Sequence, residues 1–309
     1  MLVRCYRLFS MKICPICIQE MGVAGFPFRH YQVYICQNCG FRWLDPQPTD
    51  LELSEIYSDH YFLDEGDTKV MEIVKALKRA TAILYLQQLA QGVSTFPHTQ
   101  SSLLEIGCGM GDFLLEAQSR GFIVSGLEVT DHLVEMANRR LGSSRVQKGY
   151  LESSGFEKAS FDVVAFFDVL EHVRSPVDFM MHVSHLLRET GKVYIVTPSL
   201  DSWSAKFLGK NWMEYKVEHL SYFNKKAITI LLEKTGFQKI RFHSNYKILN
   251  LDYINRHFVR FPVKGISPLV NCARKVIPDK LAYLPVKVIA SGMAVIAEKR
   301  ELVFPKGNK

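Results

Sequence analysis

An apolar run passes directly into three alternating glycines in Leu103-Leu104-Glu105-Ile106-Gly107-Cys108-Gly109-Met110-Gly111-Asp112. The apolar residues favour a buried β-strand, and a helix is predicted from residue 112 to residue 119. Glycine allows a tight turn and lets backbone N–H groups approach a ligand, while a helix N-terminus favours an anionic group such as a carboxylate. The order of strand, glycine turn and helix therefore predicts a ligand-binding turn.

Strands and helices are predicted to alternate from this turn to the end of the chain. Near-continuous apolar strands that alternate with helices are typical of a mostly parallel sheet covered on both faces, an α/β fold. The predicted strands are 102–106, 122–129, 145–148, 161–167, 192–197, 239–243 and 293–298. The predicted helices are 70–90, 112–119, 131–141, 176–187 and 225–235.

The second strand ends in Glu128, whose carboxylate can accept hydrogen bonds from both hydroxyls of a ribose. The GxGxG turn, this acidic residue and Phe161-Asp162-Val163-Val164 occur in the order seen in class I S-adenosylmethionine (SAM)-dependent methyltransferases, which residues 100–298 resemble. The resemblance implies a Rossmann-like seven-stranded sheet with helices on both faces.

The resemblance also implies which residues bind the cofactor. Glu105 and the glycine turn would contact the methionine end, Glu128 the ribose, and Val129 the adenine. Tyr150 stands where the family usually carries an acidic residue, which leaves a backbone contact at Leu151. The complete predicted set is Glu105, Gly107, Cys108, Gly109, Gly111, Glu128, Val129, Leu151, Phe167 and Asp168.

Two further segments resemble small-molecule methyltransferases of the quinone-biosynthesis type. One is Asp168-Val169-Leu170-Glu171-His172, after the fourth predicted strand, and the other is Glu218-His219-Leu220. His219 is the predicted general base, because an imidazole can accept a hydroxyl proton near neutral pH. Asp168 and His172 are further catalytic candidates. The alternatives are that His172 bonds the loop backbone and that His219 braces the start of the next helix.

Four of the seven cysteines form two CxxC pairs near the N-terminus. Eighteen residues separate the pairs, a spacing typical of a zinc site with four thiolate ligands. Because four protein ligands leave no open position for water, the predicted zinc is structural. The predicted ligands are Cys14, Cys17, Cys36 and Cys39.

The cysteine segment also indicates which type of acceptor is methylated. A similar ribbon occurs in sugar C-methyltransferases, and this resemblance extends over Trp43-Leu44-Asp45-Pro46-Gln47-Pro48 and the aromatic positions Tyr57, Tyr61 and Phe62. Those enzymes carry a further large C-terminal domain, and this chain ends soon after the predicted sheet, which favours O-methylation. Some rRNA methyltransferases also begin with a zinc ribbon, but the loop here, 26–31, is aromatic rather than basic.

The formal net charge of +7 is unevenly distributed. Residues 201–309 carry 20 basic and 8 acidic side chains, whereas residues 100–200 are acidic on balance. Residues 245–288 contain eight of these basic groups, interleaved with aromatic residues. This basic insertion could bind a phosphate- or lipid-linked acceptor, lie on an anionic membrane surface, or form a solvated helical cap.

The sequence thus predicts a zinc ribbon (11–45), a linker with N-terminal helices (46–100) and a SAM-dependent methyltransferase domain (101–309) with its basic insertion. O-methylation of a small molecule, such as a sugar, glycan or lipid-linked acceptor, is the leading hypothesis. RNA methylation, sugar C-methylation and a non-catalytic binding module are the alternatives. The charged N-terminus is unlike a signal peptide, and we find no apolar run of roughly 18–20 residues, so we expect a cytoplasmic protein, alternatively one peripheral to the membrane.

Overall fold

Two β-sheets organise the chain in the computed structural model, which describes residues 11–56, 68–91, 100–263 and 265–301. The strands are β1 (Lys12–Ile13), β2 (Glu20–Phe28), β3 (Tyr31–Cys36), β4 (Arg42–Asp45), β5 (Ser102–Ile106), β6 (Ile123–Glu128), β7 (Val146–Lys148), β8 (Phe161–Phe167), β9 (Leu187–Pro198), β10 (Ser221–Tyr222), β11 (Phe237–Leu249) and β12 (Val286–Lys299). The helices are α1 (Asp50–Ile56), α2 (Thr68–Gln91), α3 (Asp112–Ser119), α4 (Asp131–Leu141), α5 (Pro176–Leu186), α6 (Trp203–Leu208), α7 (Lys225–Lys234), α8 (Leu251–Arg260), α9 (Ile266–Val276) and α10 (Asp279–Ala282).

The larger sheet has seven strands in the order β11-β12-β9-β8-β5-β6-β7. The pairs β5–β6, β6–β7, β5–β8 and β8–β9 are parallel, whereas β12 is antiparallel to both of its neighbours. Apolar side chains are buried in two hydrophobic clusters, one of which includes residues of α2 and α3 and the other residues of α5 and α7. The predicted α/β fold with a Rossmann-like seven-stranded sheet is confirmed.

The last two strands extend further than the sequence pattern predicts. Strand β11 continues to Leu249 and β12 begins at Val286, so the two pair as a ribbon beyond Gly292, where the pairing of β12 with β9 ends. Side chains on this extension are half-buried or exposed, and it therefore lacks the apolar run by which the central strands were recognised. Helices α8, α9 and α10 connect the two strands, so both ends of the predicted insertion 245–288 belong to this extension.

The smaller sheet joins the cysteine-rich segment to the rest of the protein. Its order is β1-β2-β3-β4-β10, so its last strand comes from residues 221–222 in the predicted methyltransferase domain. Ser221 pairs with Trp43, and Tyr222 pairs with Arg42. The division into segments 11–45, 46–100 and 101–309 stays a prediction, and the first of these segments shares a sheet with the third.

Both faces of the smaller sheet are packed. On one face, Phe41 and Trp43 join the hydrophobic cluster that contains Phe223 and helix α7. On the other face, apolar residues of β3 and β4 pack against the segment 205–222. There, the guanidinium of Arg42 also donates a hydrogen bond to the Tyr215 hydroxyl, at 2.6 Å.

Asn224 connects helix α7 to the second cysteine pair. Its Oδ1 accepts a hydrogen bond from the backbone N–H of Ala227, which caps the helix, and its Nδ2 donates to the carbonyl of Cys39 at 3.0 Å. The close contact requires glycine at position 40, because a Cβ on Gly40 would lie 2.3 Å from Asn224 Nδ2. Asn224 therefore links the start of α7 directly to the cysteine segment.

None of the described helices is long and apolar enough to cross a membrane. The predicted resemblance at Tyr57, Tyr61 and Phe62 lies outside the described residues.

We expect Asn224→Ala to lower the free energy of unfolding by about 2 kcal/mol, about 1 for the lost cap and about 1 for the lost bond to Cys39. Asn250→Ala is the matched control, because Asn250 caps α8 in the same way through Tyr253 and should cost about 1 kcal/mol. Urea denaturation measures both values. Equal losses in the two variants would contradict a contribution from the contact with Cys39.

Candidate active site

The glycine turn lies where an open parallel sheet changes direction. The chain runs outward from β5 to β6 and β7 and then crosses to β8 on the other side of β5. Ligands of such sheets bind at the carboxyl ends of the strands beside this switch point. Gly107, Gly109 and Gly111 stand there with φ of +69°, +52° and +75°, a conformation that favours glycine.

The glycine turn leaves room for a ligand. A Cβ on Gly109 would meet no atom within 4 Å, so open space faces the turn at this position. Arg140 of α4 holds the turn from behind, because its guanidinium donates to the Met110 carbonyl and to the Asp112 carboxylate, each at 2.6 Å. The turn is therefore rigid on one side and open on the other.

Glu128 is bound to the glycine turn. Its Oε2 accepts a hydrogen bond from the N–H of Gly109 at 2.8 Å, and its Oε1 accepts from the N–H groups of Val129 and Thr130. These bonds orient the carboxylate and occupy both lone pairs of Oε1, so Oε2 keeps one acceptor site for a hydroxyl donor.

Glu105 is buried beneath the same turn, and its Oε2 has no hydrogen-bond partner among the described residues. Burial, reinforced by the charges of Asp112 and Glu128, raises the pKa of Glu105 well above its ordinary value. A cationic ligand would relieve this accumulation of negative charge. The acidic surroundings and the open turn therefore fit the positively charged methionine portion of SAM.

The remaining predicted cofactor residues surround this turn in different ways. Cys108 donates its N–H to Leu127, and its thiol packs against Gly126. Leu151 is buried in a short 3-10 turn after β7, whereas Val129 is exposed at the end of β6. Phe167 packs among the rings of Phe113, Tyr85 and Tyr194.

Asp168 follows β8 in the left-handed region, with φ of +54°. Its Oδ2 accepts a hydrogen bond from Lys247 Nζ at 2.6 Å. Burial alone would lower the pKa of Lys247, but the Asp168 carboxylate raises it above the ordinary value, so the ammonium group of Lys247 remains charged. The ion pair attaches the extended part of β11 to the end of β8.

The two predicted histidines lie together. Their ring centroids are 4.7 Å apart, and their nitrogens lie within 4.8 Å of each other and of a Glu171 oxygen. His172 Nδ1 bonds the Glu218 carbonyl, and His219 Nδ1 bonds the Glu214 carbonyl, each at 2.8 Å. Because a carbonyl can only accept, each Nδ1 carries the proton and each Nε2 is an acceptor.

In the cluster of Glu171, His172 and His219, the glutamate and His219 are buried and His172 is half-buried. Burial, with smaller contributions from His172 and Lys216, lowers the pKa of His219 well below its ordinary value, and burial lowers the pKa of His172 to about 4. Burial and the charge of Asp168 raise the pKa of Glu171 well above the ordinary value. Glu171 Oε2 accepts from the Thr197 hydroxyl, and its Oε1 has no partner among the described residues.

Sequence reasoning missed three residues of this region. Lys247 looked like one basic residue among eight, and only the extension of β11 brings it to Asp168. Glu171 lies beside His172 in the motif but received no role. Arg140 occupies an ordinary helix position, and no local signal connects it to the glycine turn 28 residues earlier.

The four cysteines lie close together beside the smaller sheet. All four sulfurs lie within 4.8 Å of one another, with Cys14–Cys39 at 3.7 Å and Cys17–Cys36 at 3.6 Å. A tetrahedral zinc with bonds of about 2.3 Å separates its sulfurs by about 3.8 Å. A disulfide would need a separation of about 2 Å, so the geometry fits metal coordination rather than disulfides.

Comparison with known proteins agrees with this architecture. A family model described as a methyltransferase domain matches residues 79–241, which is more than half of the chain. The ubiquinone biosynthesis O-methyltransferase of Histophilus somni is 26% identical over 182 residues, covering 55% of this chain and 71% of that protein. The Saccharophagus degradans enzyme of the same name is 33% identical over 104 residues, covering 32% of this chain and 44% of that protein.

One solved structure supports the fold. The crystal structure of a candidate methyltransferase from Bacillus halodurans aligns with a TM-score of 0.50 at 16% identity, covering 71% of this chain and 99% of that one. The family match extends from within α2 into β11 and includes the glycine turn, Glu128, Asp168 and both histidines. The chain therefore belongs to the methyltransferase-domain family and is a SAM-dependent methyltransferase.

Proposed function

We propose that this enzyme methylates a hydroxyl group of a small-molecule acceptor, with His219 as general base. The observation that carries the proposal is the edge-to-face pair of His172 and His219 beside Glu171, at the same end of the sheet as the glycine turn. The similarity to ubiquinone biosynthesis O-methyltransferases supports it, since the name of these enzymes states the same reaction type. We retain a sugar, a glycan or a lipid-linked compound as the proposed acceptor class.

Each of the proposed cofactor residues would contact a different part of SAM. Glu105 would attract the ammonium group, Glu128 would accept hydrogen bonds from the ribose hydroxyls, and the exposed Val129 would cover the adenine. Bound SAM supplies a sulfonium-activated methyl group, so positioning of the acceptor provides most of the catalysis. The ion pair with Lys247 would keep Asp168 close to the methyl group.

His219 is suited to accept the proton of the acceptor hydroxyl. Its Nδ1–H is engaged with the Glu214 carbonyl, which orients the ring and keeps Nε2 as the basic atom. His172, placed at a right angle to His219, would hold a neighbouring polar atom of the acceptor. Because the pKa of His219 is lowered, its neutral form is present throughout the neutral pH range.

RNA methylation is less well supported than methylation of a small molecule. Both faces of the cysteine-containing sheet pack against other parts of the chain, which removes them from an RNA-binding role. Sugar C-methylation remains the alternative reaction at the same site, because a base near the methyl group also serves carbon acceptors.

We also propose that Cys14, Cys17, Cys36 and Cys39 bind one structural zinc ion. The sulfur separations support tetrahedral coordination, and the backbone N–H of Cys39 donates to Cys36 Sγ at 3.4 Å, as in a knuckle around a thiolate. A segment of this size has little core of its own, so zinc would supply much of its folding free energy.

The cofactor assignment predicts that Glu128→Gln weakens SAM binding by roughly 10- to 100-fold, because hydrogen bonds to a charged group are lost. Isothermal titration calorimetry of the purified chain measures this change. Glu135→Gln, at an exposed position on the neighbouring α4, is the charge-matched control and should bind like the parent. Equal affinities in all three proteins would remove Glu128 from the cofactor site.

We expect His219→Asn to lower turnover by about 10²–10⁴-fold while SAM affinity changes little, because the amide can still donate to Glu214 but cannot act as a base. The assay offers the low-molecular-weight compounds of a ribonuclease-treated lysate as acceptors and measures the label that they receive from methyl-labelled SAM. In the parent, the rate of the step that needs neutral His219 should not change with pH between about pH 6 and 8. A histidine with a lowered pKa is already neutral in this range.

The control for this variant is His182→Asn, because His182 also bonds a backbone carbonyl through Nδ1 but lies exposed on α5. It should retain the parent's turnover. Unchanged turnover in His219→Asn would exclude His219 as the base, and label that is found only in RNA before ribonuclease treatment would overturn the proposed acceptor class.

The zinc proposal predicts that Cys39→Ser loses the metal, destabilises the protein and red-shifts the emission of the buried Trp43. Cys272→Ser is the control, because Cys272 is an exposed cysteine on α9 and should retain one zinc ion per chain. Elemental analysis and tryptophan fluorescence measure both effects. Purified parent protein without metal, at unchanged stability, would contradict the proposal.

A further inference from the structure

We propose that α8, α9, α10 and the exposed side of α6 form a lipid-facing surface that binds an anionic phospholipid bilayer. The inference concerns where the enzyme resides while it acts, and it does not depend on the identity of the acceptor. The surface connects β11 to β12, outside the seven-stranded sheet.

Helices α8 and α9 have no fully buried side of their own. No residue of α8 or α9 is buried, although both helices are amphipathic and pack against each other. An amphipathic helix in a globular protein ordinarily buries its apolar face in the core. Large apolar side chains are instead exposed here, with Leu269 71% and Val276 76% accessible.

These two side chains are seven residues apart on α9 and therefore project from the same face of that helix. Further exposed apolar residues follow at the start of β12 and just before it, including Leu284 and Ile289. Exposed apolar side chains that recur along one stretch of chain are typical of an interaction site, whereas isolated ones are ordinary surface.

Positive charge accompanies the apolar side chains. Lys275 and Lys280 lie on or beside α9 and form no ion pair with any described residue. The acidic groups nearby are already neutralised, because Asp252 accepts from Arg256 and Arg274, and Asp279 also accepts from Arg274. The surface is therefore apolar and carries positive charges that the described acidic groups nearby do not neutralise. This composition favours anionic lipid headgroups over the apolar surface of another protein.

Helix α6 adds two aromatic side chains beside the same strand. The Ser204 hydroxyl lies 2.7 Å from the Ser291 hydroxyl of β12, which holds α6 against this strand. Trp203 and Phe207, four residues apart on one face, are 63% and 82% accessible. Aromatic rings of this kind are enriched at the boundary between lipid headgroups and acyl chains.

The surface is also connected to the active site. Lys216 lies 5.1 Å from the ring of Phe261 at the end of α8, and it precedes His219 by three residues. Lys247, which binds Asp168, stands on β11 just before α8 begins. A bilayer that holds α8 and α9 would thus be adjacent to the region in which the acceptor is proposed to bind.

The test is cosedimentation of the full chain with vesicles of phosphatidylcholine and phosphatidylglycerol in equal amounts, and with vesicles of phosphatidylcholine alone. We expect binding to the anionic vesicles that weakens with added salt. Lys275→Ala/Lys280→Ala should lower the partition coefficient by roughly 30-fold, at about fivefold for each lysine. Arg145→Ala/Lys158→Ala removes the same charge from exposed positions outside this surface and should bind like the parent.

Tryptophan fluorescence gives an independent readout. Trp43 and Trp212 are buried, so a blue shift caused by the anionic vesicles should come from Trp203. Trp203→Phe should abolish the shift while the protein still sediments with the vesicles.

Three results would overturn the proposal. The first is equal binding of the parent to both vesicle types. The second is an equal loss of vesicle binding in the two double variants. The third is a blue shift of tryptophan emission that persists in Trp203→Phe. Sedimentation velocity without lipid adds a fourth, because a dimer that dissociates in Lys275→Ala/Lys280→Ala would make the surface a contact between two copies. Neither SAM nor acceptor is present in these assays, so their failure leaves the proposed O-methylation unaffected.

Discussion

The backbone of Leu220 joins the two sheets of this protein. Its N–H donates to the carbonyl of Glu171 at 2.8 Å, and its carbonyl accepts from the N–H of Leu44 at 3.0 Å. Glu171 precedes His172 and Leu220 follows His219, so both hydrogen bonds are adjacent to the proposed catalytic cluster. Because backbone groups cannot be left unpaired in a buried segment without a cost of about 1–3 kcal/mol each, the position of the cysteine-rich sheet and the geometry of the histidine pair are coupled.

This coupling gives the proposed zinc ion a role beyond stabilising its own segment. The knuckle that contains Cys39 binds Asn224, and Asn224 caps the helix that follows the His219 segment. Strand β10 lies between His219 and that cap and is paired with β4. Residues 219–224 are thus held by pairing with β4 and by the bond of Asn224 to the second cysteine pair. A metal that orders the cysteines would therefore orient His219 without touching the acceptor.

Local signals in the sequence predicted the parts of the site that local structure creates. The glycine turn, Glu128 and the central strands depend on neighbours within a few residues, and their predicted bounds match the structure closely, except that β9 begins at Leu187 rather than at residue 192. Strand β10 could not be predicted, because two residues carry no periodicity and its partner is about 180 residues away. The Asp168–Lys247 ion pair has the same explanation. It forms only because β11 continues beyond the sheet, where exposed side chains remove the apolar pattern that indicates a strand.

The distribution of charge follows from the different ligands of the two regions. The glycine turn is surrounded by Glu105, Asp112 and Glu128, which together disfavour an anion and favour the cationic methyl donor. The positive charge that gives the chain its net +7 is concentrated after residue 200. On the connection between β11 and β12 it accompanies exposed apolar side chains rather than the residues that are proposed to bind the ribose and the methionine portion. A single basic surface would attract anions to the cofactor turn as well, so this segregation allows one chain to bind a cation at the sheet and, as proposed, anionic lipid at its edge.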